Sequence, residues 1–255
     1  MITKKTEADF DKMKIAGQCV AAMHAVVREM AAVGVTTAAL DAAAREVLTE
    51  YDCRSSFLGY GGPTNPFPGV LCTSPNSVIV HGIPGDYALA DGDIISIDAG
   101  AIYEGWHGDA AFTMAIGDVP DEVRNLLDVT ERALRAGIEM AVAGNRLGDV
   151  GSAVESLAIP NGIGVVREYV GHGIGRQMHE APSVPNYGAA GKGLRLKTGM
   201  ALAIEPMFNL GTEDSVVLDD NWTVVTADGS YSAHFEHTVL LTEAGTVVST
   251  ASTLR

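Results

Sequence analysis

Residues 94–113 read IISIDAGAIYEGWHGDAAFT. Apolar residues crowd both flanks, and Tyr103, Glu104 and Gly105 fall between them as a short turn. The spacing predicts a β-hairpin, with one strand over Asp93–Ala101 and the other over Trp106–Ile116. Each strand carries one acid in its apolar run, Asp98 and Asp109. Counting outward from the turn sets them opposite each other or one diagonal step apart, about 4.5–8 Å in either case. Two like charges at that spacing destabilise a hairpin, and a shared cation reverses the sign. An ionised carboxylate in an apolar strand also costs free energy unless a cation or hydrogen bonds compensate it.

Three more potential ligands sit in similar apolar surroundings: His172 in VGHGIG, Glu205 in ALAIEPM and Glu236 in AHFEHTVL. The flanking glycines of His172 permit close backbone approach and unusual φ. Two further histidines, His81 in IVHGIPGD and His179 in QMHEAPSV, lie in Gly- or Pro-bounded segments and read with the same site. The five ligands are rich in oxygen, with one imidazole and no thiolate. That set suits Mn, Fe, Co or Zn in a catalytic site better than a structural zinc. Four carboxylates nearly balance two divalent ions. Two ions about 3.5–4 Å apart, sharing a water or hydroxide, supply a nucleophile and a Lewis acid. The expected chemistry is hydrolysis of an amide or ester.

The remaining pattern gives two rounds of helices followed by strands. Thr6-Glu-Ala-Asp9 starts a first helix, with Ile15, Cys19, Ala22, Met23, Val26, Val27 and Met30 at helical spacing up to Gly34. Thr36 or Thr37 caps a second, to about Tyr51. From Ser55 to Asn76 the chain is Gly- and Pro-rich loop with short extended pieces. Ser77–Val80 reads as a strand. Pro120-Asp-Glu opens a helix to about Ala143, and Leu147–Leu157 a shorter one. Strands are expected over Gly164–Val170, Met200–Asn209, Thr223–Ala227, Ala233–Leu241 and Val247–Ser249. A His-Gly-Ile step recurs in each half, at His81 and at His172. No linker divides the halves, so residues 1–255 are expected to form a single α+β domain with an antiparallel sheet.

Composition narrows the partners. The 255 residues are 47% hydrophobic and carry a net charge of −15. That balance disfavours phosphate-backbone binding, so no specific DNA contact is expected. One basic cluster, Lys192, Arg195 and Lys197 in GKGLRLKTG, is a candidate for a transient ribosome contact. Three cysteines, Cys19, Cys53 and Cys72, form no paired framework, which points to a reducing cytoplasm. The N-terminal stretch has no apolar core of a signal peptide, and no run is long and apolar enough for a membrane span.

Taken in order, HGIPGD (His81), SIDAGA (Asp98), GWHGDAAFT (Asp109), GHGIGRQMHEAP (His172, His179), AIEPM (Glu205) and YSAHFEHTVLLT (Glu236) resemble the motifs of the type I methionine aminopeptidases. The resemblance covers essentially the whole chain. It implies the pita-bread fold, two pseudo-symmetric halves with a central curved antiparallel sheet covered by helices. It implies removal of the initiator methionine from nascent polypeptides whose second residue is small and uncharged, by a water or hydroxide bridging two divalent ions (Co, Mn, Fe or Zn) in a monomer. Asp98, Asp109, His172, Glu205 and Glu236 match the metal ligands, with Asp109 and Glu236 bridging. His179 matches the residue that hydrogen-bonds the scissile carbonyl, His81 the one that contacts the substrate amide, and Glu205 also a proton shuttle. Tyr60, Phe67, Cys72, Met178 and Trp222 match the methionine pocket, where polarizable and aromatic groups suit a thioether. Two departures stand out: GGPTNP (Gly61–Pro66) is longer than in most relatives, and Met178 replaces a frequent aromatic. No zinc-finger extension is expected. A proline-specific peptidase and a binding protein on the same fold are the competing readings.

Overall fold

The computed structural model describes residues 2–252. The first round of elements is α1 (Glu7–Met30), α2 (Thr37–Glu50), β1 (Arg54–Ser55), β2 (Leu71–Pro75), β3 (Val78–Val80), β4 (Ile94–Tyr103) and β5 (Trp106–Ala115). The second begins with α3 (Asp121–Met140), α4 (Leu147–Ala158), β6 (Gly164–Val165), β7 (Gly171–Gly173), β8 (Glu180–Val184) and β9 (Ala201–Ile204). It ends with β10 (Met207–Asn209), β11 (Ser215–Val217), β12 (Val224–Thr226), β13 (Ser232–His234), β14 (Glu236–Thr242) and β15 (Gly245–Val248).

Local chemistry explains the helix starts. Thr6 caps α1 reciprocally: the Asp9 N–H donates to Thr6 Oγ1 at 3.3 Å, and the Thr6 N–H donates to Asp9 Oδ2 at 2.9 Å. Thr36 caps α2 by accepting from the Ala39 N–H. The buried stripe of α1 runs through Met13, Ala16, Val20, Met23 and Val27. Ile15, expected on that stripe, is 39% exposed. It lies about 200° around the helix from Met13, so the apolar series begins one phase earlier than its sequence suggests. The third helix stops at Met140, three residues short of the expected Ala143.

The main sheet has the path β1-β4-β5-β14-β9-β7-β8, with β2 added on β4 and β15 on β14. Its pairings are antiparallel. Two three-stranded sheets, β13-β10-β6 and β11-β12-β3, complete the strand layer. Two expected strands turn out to be interrupted. Met200–Asn209 breaks at Glu205-Pro206, because Pro206 has no N–H to continue a ladder. Ala233–Leu241 breaks at Phe235. On one side of these breaks β9 pairs β14 in the main sheet; on the other β10 pairs β13 in a small one. The expected strand Gly164–Val170 shortens to two residues, β2 is one of the short extended pieces expected between Ser55 and Asn76, and β7, β8 and β11 form where irregular chain was expected.

The helices pack on one face of the main sheet. Cys19, Met23 and Val27 of α1, Leu40 of α2, Ala110 and Phe112 of β5, and Leu126 and Ala133 of α3 join one buried cluster. The approach of α1 to β5 is close: a Cβ on Gly108 would sit 2.7 Å from the Gly17 nitrogen. Only glycine permits that crossing, and it leaves the opposite face of β5 free for other work.

Candidate metal centre

Register brings five side chains to that opposite face. Asp98 pairs with Ala111, and Ala111 pairs onward with Glu236, so the two acids flank one alanine across three strands. Asp109 lies two residues from Ala111 and shares its face. Thr238, two beyond Glu236, pairs with Ala203, which also pairs with His172. Glu205 lies two beyond Ala203. Alternation therefore puts Asp98, Asp109, His172, Glu205 and Glu236 on one side of the sheet. The hairpin acids take the diagonal arrangement, since Asp109 pairs with Gly100 rather than with Asp98.

Three of the five are held from behind. The Thr238 hydroxyl donates to the Asp109 carbonyl at 2.8 Å and accepts from the Asp109 N–H at 3.0 Å. The Asn186 amide donates to the Glu205 carbonyl at 3.0 Å. His172 Nδ1 is 2.9 Å from the Gly173 carbonyl. A carbonyl only accepts, so Nδ1 carries the proton and Nε2 keeps its lone pair. That Nε2 lies 3.5 Å from Glu205 Oε1 and 3.8 Å from Asp109 Oδ2. The glycines flanking His172 serve close approach: a Cβ on Gly171 would fall 2.4 Å from the Ala203 carbonyl oxygen, and one on Gly173 2.3 Å from that of Ala181. His81, by contrast, itself adopts φ +61°, in the left-handed region.

The electrostatics fit a cation. Burial raises the Asp98 carboxyl to about 7. Burial, then the neighbouring carboxylates, push Asp109, Glu205 and Glu236 well above the usual range. Burial lowers His172 to about 4 and His234 to about 3, so both imidazoles are neutral. Asp98 Oδ1, Asp109 Oδ1, Glu236 Oε1 and His234 Nε2 are buried with no hydrogen-bond partner. Unpaired acceptors converging on one point, beside neutral imidazoles, are the donor set of a divalent metal. Two groups of ligand atoms, Asp109 with His172 and Glu236, and Glu205 with His234 and Glu236, each lie within 4.8 Å of one another.

A cavity of about 130 Å³ opens beside these groups. That is close to the size of cavity that accepts a small ring or apolar side chain. All twelve site residues expected from the sequence line it. Phe67, Cys72 and Met178 form its buried apolar end with Phe57, and Trp222 packs against them. The Phe67 and Trp222 rings meet edge to face at 5.2 Å. Burial, then Asp98, raise the Cys72 thiol, which stays protonated and behaves as a small apolar group. Tyr60 Oη and His179 Nδ1 are 2.7 Å apart at the rim. The Gly61–Pro66 loop is pinned at its base, where the Phe67 N–H donates to the Tyr60 carbonyl, and it leans on Trp222: a Cβ on Gly61 would meet that ring at 2.6 Å.

Three lining residues escaped the sequence reading: Phe57, Val80 and His234. Phe57 lies in the Gly- and Pro-rich segment, where no periodicity marks it. His234 could have been found, because residues two apart on a strand share a face and it stands two before Glu236.

The sequence pattern of metallopeptidase family M24 matches residues 11–243. A methionine aminopeptidase of Clostridium perfringens is 44% identical over 250 residues, covering 98% of this chain and 99% of that one. Methionine aminopeptidase 1 of Bacillus subtilis is 46% identical over 245 residues, covering 96% and 97%. The crystal structure of methionine aminopeptidase from Thermotoga maritima superposes with a TM-score of 0.95 at 42% identity, covering 99% of this chain and 100% of that one. The chain is a metallopeptidase of family M24 and belongs, within it, to the methionine aminopeptidases. Its architecture is the pita-bread fold.

Proposed function

We propose that this chain removes the N-terminal methionine from nascent polypeptides whose second residue is small and uncharged, using two divalent ions held by Asp98, Asp109, His172, Glu205 and Glu236. The observation that carries this reading is the cavity itself, with carboxylates and imidazoles at one end and Phe57, Phe67, Cys72, Met178 and Trp222 at the other. The apolar end takes the methionine side chain, its sulfur against aromatic rings. The bound metal supplies a Lewis acid and an activated water.

The chain's own groups do the rest. Asp109 and Glu236 would hold both ions, as the family resemblance implies; Glu236 belongs to both groups of ligand atoms and Asp109 to one. His179, neutral because burial lowers it, donates from Nε2 to the scissile carbonyl oxygen as charge develops there. His81, which burial lowers to about 4, contacts the substrate amide from the cavity wall. Glu205 keeps partial access to solvent and carries the proton from the attacking water to the leaving amine. The cavity is about 130 Å³ and walled by Trp222, which leaves room for only a small second residue beside the methionine.

The compartment in which nascent chains are met is the cytoplasm. No helix among the described residues is long and apolar enough to cross a membrane. Lys192, Arg195 and Lys197 are exposed in the loop before β9, and we assign any ribosome contact to them. The chain acts as a monomer and a single catalytic unit.

Paired assays with Met-Ala-Ser and Met-Lys-Ser, with Co(II) or Mn(II) added, test the activity. Methionine is released from the first and not from the second; equal release, or none, refutes the reading. His179→Ala lowers turnover by about 100- to 1000-fold, the scale of losing one oxyanion donor, while metal content stays unchanged.

A further inference from the structure

We propose that His234 is a sixth protein ligand of the metal centre, its Nε2 binding the ion that Glu205 and Glu236 hold. The inference deepens the metal-dependent reading above and rests on it.

The argument is a comparison of two imidazoles. His172 Nε2 stands 3.5 Å from Glu205 Oε1 and 3.8 Å from Asp109 Oδ2. His234 Nε2 stands 3.7 Å from Glu205 Oε2 and 3.9 Å from Glu236 Oε2. The two rings bracket the carboxylates at nearly the same spacing, each facing a different oxygen of Glu205. Ligands about 2.0–2.2 Å from one ion lie roughly 3–3.5 Å from each other, so either ring reaches a shared ion by closing a few tenths of an ångström. Neither separation from His234 is a hydrogen bond. Its Nε2 is nonetheless buried and without a partner, in a side chain only 2% exposed. A buried ring nitrogen left open toward two carboxylates is what a ligand position looks like before the ion is added.

The backbone around His234 is fixed in a way that a filler residue does not require. The His234 N–H donates to Thr113 Oγ1 at 2.9 Å, and the Thr113 hydroxyl donates to the His234 carbonyl at 2.8 Å. Thr113 belongs to β5, the strand that carries Asp109. One strand thus positions both a carboxylate ligand and, through its threonine, the second imidazole. The strand break at Phe235 then places His234 in β13 and Glu236 in β14 while both side chains turn to the same ion. Two imidazoles shift the preference of the site toward Co, Fe and Zn and away from Mn, relative to a centre with one.

The test counts imidazoles directly. In the Co(II)-loaded protein, each histidine bound through Nε2 gives one hyperfine-shifted, solvent-exchangeable N–H proton resonance. Two are expected in the unaltered protein. His234→Gln removes one and leaves the His172 resonance, and titration calorimetry shows Co(II) affinity weakened by roughly 100-fold, the upper end of what losing an orienting partner costs. A single resonance in the unaltered protein, or both retained in His234→Gln, overturns the proposal. The count in the unaltered protein needs no variant, so it decides even where His234→Gln folds poorly. It is also separate from the peptide assay: two resonances with no methionine release would leave the ligand standing and remove the functional reading.

Discussion

The two halves of the molecule supply the same cavity by different means. In the first half, β4 and β5 are ten residues each and pair without interruption from Ile94↔Ala115 to Tyr103↔Trp106. Asp98 and Asp109 are placed by that register, with one added clamp from the Thr238 hydroxyl on the Asp109 backbone. In the second half no strand runs far enough to do this. His172 comes from a three-residue strand, Glu205 from the residue after a four-residue one, and Glu236 from the first position after a break. Here position depends on glycines that let backbones touch, on Pro206, and on side-chain clamps from Asn186 and Thr113. A continuous strand tolerates change outside its functional positions. A broken one spreads its tolerance thinly over many contacts.

The severest way to break the comparison is at the hairpin. Asp109→Ala deletes a carboxylate shared by both proposed ions but leaves the β4–β5 register intact. Turnover is expected to fall roughly a thousandfold or more, the scale of losing one member of a group that acts as a unit. Bound metal, measured by elemental analysis, falls with it, while thermal unfolding of the metal-free protein shows no loss of stability. Near-normal turnover would remove the bridging role.

A change in the second half should instead damage the fold before the chemistry. In Gly173→Ala the added methyl would meet the Ala181 carbonyl oxygen at 2.3 Å, against rigid backbone on both sides. The expected cost is about 1–3 kcal/mol of stability, read from the denaturant midpoint. Metal affinity falls too, because His172 is displaced with β7. If stability were unchanged, close packing would not be what requires that glycine.

This contrast explains what could be read in the sequence. The hairpin is legible because two apolar runs, one acid in each and a Tyr-Glu-Gly turn all agree. The helices were legible from caps such as Thr6 and Thr36. Glu205 and Glu236 read as candidate ligands from the sequence, but the strands expected around them are longer than those that form. Apolar runs across Pro206 and Phe235 look continuous, and only tertiary pairing reveals that each run changes sheets midway. Strands β7 and β8 were invisible because Gly171, Gly173 and Pro182 carry no strand propensity. The ladder there is set by neighbours, not by the segment itself. His234 belongs with these: it stands two before Glu236, on the far side of the break at Phe235, and the alternation that marks Glu236 marks it as well.

The pH dependence of the metal-free protein tests both halves at once. The Asp98 carboxyl moves from 3.8 to about 7 on folding, chiefly by burial. Between those values the folded protein holds a proton that the unfolded chain has released. Stability therefore falls as pH rises through that window, by up to about 1.4 kcal/mol per pH unit for such a carboxyl. Asp109, Glu205 and Glu236 are shifted the same way and extend the trend upward. Saturating metal, which binds the deprotonated carboxylates, reverses the slope. The buried histidines, all lowered by burial, give the opposite slope below about pH 6.5, so the acids are read above it. Unfolding curves at pH 7 and pH 8.5, with chelator and with Co(II), should cross. A metal-free protein that gains stability from pH 7 to pH 8.5 would contradict the burial of these acids.

The mildest change addresses the contact between the halves. Tyr60, on the first half's loop, meets His179 Nδ1 at 2.7 Å. Desolvation lowers His179, so at neutral pH its ring carries one proton and the choice of nitrogen matters. For Nε2 to donate to a substrate carbonyl, Nδ1 must accept, and the Tyr60 hydroxyl is the donor that makes it accept. Tyr60→Phe removes that bias while keeping the ring beside the cavity. One neutral hydrogen bond contributes about 0.5–1.5 kcal/mol, so kcat should fall roughly 2- to 10-fold. The loss belongs in kcat rather than KM, because the oxyanion needs the donor more than the ground-state carbonyl does. Metal content and unfolding midpoint stay where they were. A rise in KM alone would make Tyr60 a wall of the pocket and leave the His179 tautomer to be set by some other group.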